Sequence, residues 1–168
     1  MESQDFSARM MVKNPKAIQL YTFSTPNGVK VASMLEEIIE LRKLKGEVLY
    51  EPHAVNIRTG ENRTEWYSTC FPNEKIPGII DHCGGAGDNS TVHVFESGAI
   101  LMYLAEKYKV LLPTDPILRV EAMSWLFWGS SSFSNQVKLF GFYSKYCSHA
   151  LPCKCCVGVI CEYGYSFI

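Results

Sequence analysis

One stretch constrains the fold more than any other. Ile18-Gln19-Leu20-Tyr21-Thr22-Phe23 reads as a strand and runs straight into Ser24-Thr25-Pro26-Asn27-Gly28, after which Val31, Met34, Leu35, Ile38, Ile39 and Leu41 recur at helical spacing. The hydrophobic period therefore changes within a five-residue turn. Thr25 is suited to the N-cap and Pro26 to the first helical position, where its missing N–H costs nothing. A strand feeding a helix through so tight a turn is the first half of a βαβ unit. After Lys45-Gly46, Glu47 to Ile57 supplies the second strand, interrupted by Pro52.

The rest of the chain extends this pattern. Thr59 to Asn62 is a polar loop leading to a short helical or irregular piece from Trp66 to Phe71. Ile76 to Asp81 and Val92 to Phe95 read as two strands flanking Cys83 to Ser90, a hairpin loop rich in Gly, Asn and Asp. Its glycines lack the strand-to-helix setting of a phosphate cradle. Ser97 to Tyr108 forms an amphipathic helix with Ile100, Leu101, Leu104 and Tyr108 on one face and Glu106 and Lys107 turned outward. The order is βαβ, then ββα. Leu111 to Pro116 reads as a linker in which Asp115 caps and Pro116 starts a further helix carrying Ile117, Val120, Met123, Trp125, Leu126, Phe127 and Trp128. That helix is too apolar to stand alone.

Composition excludes several classes of function. Sixteen basic and seventeen acidic residues give a net charge of -1, and no Lys/Arg block offers a footprint for nucleic acid or an anionic membrane. Residues 1–16 lack the apolar run of a signal peptide and the Arg/Ser bias of a transit peptide. They read as a flexible lead-in, and with no stretch near the ~20 apolar residues of a spanning helix, the cytoplasm is the expected location. Seven cysteines are unevenly spread, with only Cys70 and Cys83 before residue 147 and five in the last 22 residues. This is no disulfide framework.

Three short motifs carry candidate chemistry. Thr25-Pro26-Asn27-Gly28 places backbone N–H groups and small polar side chains at the positive end of a helix, where a thiolate is stabilised; plain capping accounts for the same residues. In Asn73-Glu74-Lys75-Ile76-Pro77, a cis Ile76-Pro77 bond would turn the Ile76 N–H and C=O toward a peptide-like ligand, whereas a trans bond makes Pro77 an ordinary strand start. Phe95-Glu96-Ser97-Gly98 sets a carboxylate and a hydroxyl where a strand gives way to a helix. That pair suits the ammonium and carboxylate of an amino-acid head group, and it also suits a helix cap.

Taken in order and spacing, these segments closely resemble the nu-class glutathione transferases and their fungal nitrogen-regulator relatives. The resemblance runs over about residues 17 to 146. It is carried by Leu20 to Val31, Asn73 to Pro77, Val94 to Lys107 and Trp125 to Trp128, with an echo at Phe142, Tyr143 and Tyr146. It implies an α/β thioredoxin-like N-terminal domain over 17–112 and the beginning of an all-α C-terminal domain over 113–146. It also implies glutathione as cosubstrate without a metal, small disulfide or electrophilic second substrates, and a homodimer where the helical domain is complete. By position, Thr25 and Asn27 would sit beside the glutathione sulfur, and Ile76 would offer its backbone before a cis Pro77. Lys75 would neutralise a glutathione carboxylate, and Glu96 with Ser97 would hold the γ-glutamyl group. Asn62 stands where the family carries a glutamine. No cysteine lies between Phe23 and Gly28, so the nucleophile would be the bound glutathione thiol itself. Tyr21 resembles the region where other transferase classes keep a catalytic tyrosine, and is read here as core.

From Cys147 the resemblance stops. Residues 147–168 have no helical period, and although His149, Cys153, Cys156 and Cys161 have a spacing that suits zinc, the expectation is a divergent tail on a truncated product. Transferases of this type continue for roughly 100 further residues of helix, beyond one domain's needs. The expected function is a glutathione-dependent transferase or disulfide reductase. The alternatives are a non-catalytic glutathione-binding or regulatory protein and an inactive truncated isoform.

Overall fold

The computed structural model describes residues 12–44, 46–84 and 90–137. The chain divides between Leu112 and Pro113 into two compact units. In the first, strand β1 (Ile18–Thr22) leads through the turn into helix α1 (Pro26–Arg42), followed by β2 (Tyr50–Ala54), a 3-10 turn (Glu61–Arg63) and helix α2 (Glu65–Cys70). Strands β3 (Gly78–Asp81) and β4 (Val92–Phe95) and helix α3 (Ser97–Tyr108) complete it. The sheet order is β2-β1-β3-β4, with β1 and β2 parallel and the other pairs antiparallel. This is the mixed four-stranded sheet of a thioredoxin-like fold.

Pro52 survives inside β2 because β2 is an edge strand, where the missing N–H can face away from the sheet. Alternation along β1 divides the core in two. Ile18 and Leu20, with Ile79 of β3, meet Val31, Met34, Leu35 and Ile38 of α1 and Ile100, Leu104 and Ala105 of α3. On the opposite face Tyr21 and Ile80 pack with Val55, Tyr67 and Phe71. One residue's shift in register would exchange these sets.

Several local expectations are modified. β3 starts at Gly78, two residues after Ile76, and the Ile76-Pro77 peptide just before it is cis. Gly78 is itself required: a Cβ there would lie 2.6 Å from Cε1 of the buried Phe71 ring. Leu41 shares the period of the α1 core face yet is exposed. A 17-residue helix is about 25 Å long and a five-residue strand about 17 Å, so the last turn of α1 outruns the sheet. Lys107, expected to face outward, instead pairs with buried Asp81. The described part of the N-terminal lead-in is tied down, since the Lys13 and Asn14 amides both donate to Glu51 Oε2 at 3.2 Å.

In the second unit, helix α4 (Pro116–Phe127) begins as its residues suggest, with Asp115 Oδ1 accepting from the amides of Ile117 and Leu118 at 3.0 Å. It passes into a π-helical turn, Trp128–Phe133. Ser131 Oγ donates to Phe127 O and Ser134 Oγ to Gly129 O, so hydroxyls compete for the helical carbonyls where the ladder widens. Phe142, Tyr143, Tyr146 and the cysteines of 147–168 lie outside the described residues.

Candidate functional site

Strand register brings the three motifs to one end of the sheet. Tyr21 of β1 pairs with Gly78 of β3, and Gly78 in turn pairs with Phe95 of β4. The turn after β1, the Ile76-Pro77 bond before β3 and the Glu96-Ser97 step after β4 therefore share that end. The C-terminal end of parallel β2 is there too, and with it the loop carrying Asn62.

The turn after β1 keeps one donor in reserve. Thr25 is the N-cap of α1, and its Oγ1 accepts from the Gly28 amide at 3.3 Å, while the Val29 amide is taken by Thr25 O at 2.9 Å. Pro26 has no amide to give. That leaves the N–H of half-buried Asn27 as the first-turn donor without an intrahelical acceptor, at the positive end of a 17-residue helix. Gly28 permits this close approach, because a Cβ there would stand 2.6 Å from Phe23 O and closer still to Thr22 Oγ1. The capping bonds of this turn leave the Asn27 amide open to an outside acceptor.

At the third motif, capping does not account for the residues. Glu96 occupies the N-cap of α3 but makes no side-chain cap, and its backbone is held at φ 67°, ψ 119°. A non-glycine residue at positive φ is strained, and such strain persists where the surroundings fix it. Buried Ser97 follows at the first helical position, and the amides of Ser97, Gly98 and Ala99 precede the first intrahelical bond, from Ile100 N to Glu96 O at 3.0 Å. A carboxylate placed there meets a helix N-terminus beside a hydroxyl. An ammonium meets Glu96.

The loop between α2 and β3 is held from three sides. Asn62 Nδ2 donates to Glu74 O at 2.7 Å, the buried Tyr67 hydroxyl donates to Lys75 O at 2.9 Å, and the Lys75 amide donates to Asn73 Oδ1 at 3.3 Å. Glu74 is held at φ 51°. Asn62 Oδ1 is buried with no hydrogen-bond partner among the described residues, an acceptor waiting for an N–H. The Lys75 side chain is exposed, and Ile76 is half-buried beside buried Pro77. Tyr67 lies in no motif, and Asn73 opens the second motif without a role of its own there. Tyr67 reads from sequence as one aromatic among many, and Asn73 as a loop polar residue.

Tyr21 belongs to the core. It is 1% exposed, stacks on His53 with centroids 4.7 Å apart, and tilts against Trp66 and Phe71. Burial first, then the neighbouring Cys70 and Glu51, push its hydroxyl far above the ordinary tyrosine range. It stays protonated and cannot serve as a base. Burial also raises the Cys70 thiol, which makes it a poor nucleophile. Among the described residues no group of His, Cys, Asp and Glu could hold a metal ion, and no helix is long and apolar enough to cross a membrane.

The family model for the glutathione S-transferase N-terminal domain matches residues 18–106. The chain belongs to the glutathione S-transferase family. Among curated relatives, the disulfide-bond oxidoreductase YghU of Escherichia coli is 43% identical over 111 residues, covering 66% of this chain and 36% of that protein. A glutathione transferase family member from Pseudomonas fluorescens, with two glutathione bound, superposes with a TM-score of 0.82 at 34% identity over 95% of this chain and 66% of its own. A glutathione transferase from Pseudomonas putida, with one glutathione disulfide bound per subunit, superposes with a TM-score of 0.77 at 34% identity over 89% of this chain and 60% of its own. The chain spans 36% to 47% of the length of the curated relatives it matches first. The matched segment of this transferase-family chain contains the three motifs at the shared end of the sheet.

Proposed function

We propose that this chain binds glutathione at the shared end of its sheet and uses the bound thiolate to reduce small disulfides. In this reading Glu96 pairs with the γ-glutamyl ammonium, while Ser97 and the first amides of α3 receive its carboxylate. Ile76 pairs its backbone with the cysteinyl peptide. Lys75 neutralises the glycyl carboxylate, and Asn62 Oδ1 accepts an N–H from the ligand. The sulfur lies beside Thr25 and Asn27, whose free amide and carboxamide stabilise the thiolate. The thiolate attacks one sulfur of the disulfide, whose S–S bond breaks as a mixed disulfide forms and the other sulfur leaves as a thiol. A second glutathione resolves the mixed disulfide to glutathione disulfide and the second thiol. The bound glutathione structures and the YghU relative support this reading. The cytoplasm keeps glutathione reduced, and the protein works there, as a homodimer where its helical part is complete.

The observation that carries the proposal is Glu96, strained at the start of α3 and not capping its own helix. Retention on immobilised glutathione and calorimetric titration with glutathione test binding; turnover of hydroxyethyl disulfide coupled to glutathione reductase tests reduction. Asn27→Ala removes a charge-assisted contact worth about 2 kcal/mol, and kcat/KM is expected to fall roughly 30-fold. Unchanged turnover would remove Asn27 from the mechanism.

A second reading, glutathione binding without turnover, draws on α4. Ile117, Val120, Trp125 and Phe127 are each about 60% exposed or more, so an apolar helix that needs cover lies open. Binding with no measurable turnover would favour it.

A further inference from the structure

The side chain of Asn73 bridges the two halves of the site. Its Nδ2 donates to Glu96 Oε1 at 3.0 Å across 23 residues of sequence, and its Oδ1 accepts from the Lys75 amide at 3.3 Å. The acceptor end thus closes a local turn in the loop that leads to Ile76-Pro77. The donor end reaches the one carboxylate whose backbone is strained at the start of α3. An exposed glutamate ordinarily samples several rotamers at little cost. A carboxamide fixed by its other end removes that freedom from one oxygen and leaves Glu96 Oε2 for a ligand.

We infer that Asn73 is the positioning residue that aims the Glu96 carboxylate at the ammonium of the γ-glutamyl group, coupling ammonium recognition to the loop that binds the peptide backbone. The inference rests on the glutathione-binding reading. Asn73 needs no contact with the ligand for this role. It acts through Glu96, so its effect appears only for a ligand that carries the ammonium.

The test compares glutathione with its deaminated analogue, in which hydrogen replaces the γ-glutamyl amino group, by calorimetric titration of the full chain. The informative variant is Asn73→Ser. A serine hydroxyl still accepts from the amide two residues on, as in an ST-turn, but is too short to reach Glu96. Affinity for glutathione is expected to fall roughly three- to tenfold, as for loss of one partly exposed charge-assisted hydrogen bond, while affinity for the deaminated analogue stays that of the unsubstituted protein. Asn73→Ala, with folding checked by near-ultraviolet circular dichroism, also frees the Lys75 amide, so it should weaken both ligands, and glutathione the more. Equal losses for both ligands, or none for either, would overturn the positioning role. Failure of the unsubstituted protein to bind glutathione would instead overturn the binding reading beneath it.

Discussion

Tyr21 shows how one residue's surroundings decide its role. Its place on β1 invites comparison with a catalytic tyrosine, but the ring is enclosed by His53, Trp66 and Phe71, and burial drives its hydroxyl pKa upward. Sequence already favours a core role, because Tyr21 lies in the apolar run before the turn and the thiolate-stabilising groups come after it. What sequence cannot supply is the ring cage, assembled from β2, α2 and the residue that follows α2. Tyr21→Phe keeps the ring volume, so it should keep the cage and cost under about 1.5 kcal/mol of stability, as volume-conserving swaps in a core do. Disulfide turnover should stay within about twofold of the unsubstituted protein, a change in barrier under roughly 0.5 kcal/mol. A tenfold fall in kcat, measured with the hydroxyethyl disulfide assay, would make Tyr21 catalytic.

At the scale of elements, what was legible is whatever short-range chemistry sets. Thr25 and Pro26 open α1, Asp115 and Pro116 open α4, and α3 spans Ser97–Tyr108 as its periodicity predicts, because caps and apolar spacing act within a turn. Pairings across the fold were not legible. Lys107 looks like a solvated residue on an amphipathic helix, but it meets Asp81 from a strand 26 residues earlier, and nothing in either local sequence announces the pair. Asp81 also accepts from Tyr103 Oη at 2.7 Å and from the Cys83 amide at 2.9 Å, tying α3 to the end of β3. Burial pushes the Asp81 carboxyl up, but the bonds from Lys107, Tyr103 and Cys83 and the lysine charge outweigh it and hold it below the ordinary range. Lys107→Met strips the positive partner from a buried carboxylate. The expected cost is about 3 kcal/mol, read as a lower urea midpoint at neutral pH. Because Asp81 then favours its neutral form, part of that loss should be recovered on mild acidification, the opposite of the unsubstituted protein. A uniform deficit at every pH would show that packing of the lysine stem, not its charge, is what α3 loses.

For the whole molecule, the two faces of the sheet carry separate acid-sensitive contacts, and these fix the shape of the stability curve. On the aromatic face, buried His53 has its Nε2 2.7 Å from Gln19 Oε1 and its ring against Tyr21. Burial lowers its pKa more than the Glu51 charge raises it, so the folded protein prefers the neutral imidazole. The unfolded chain binds that proton more readily. The His53 contribution is therefore fully present above about pH 6.5 and is lost as pH falls through the lower folded value. Asp81 has the same sign at a lower pH. Its contribution is complete above about pH 4 and disappears as pH falls through its depressed folded value. Chemical denaturation across pH should show stability declining in two steps, first below about 6.5 and again below about 4. His53→Gln should remove the first step and leave the second, since a glutamine amide does not titrate. A single acid limb in the unsubstituted protein, or a first step that survives His53→Gln, would mean that a group other than His53 governs stability near neutrality.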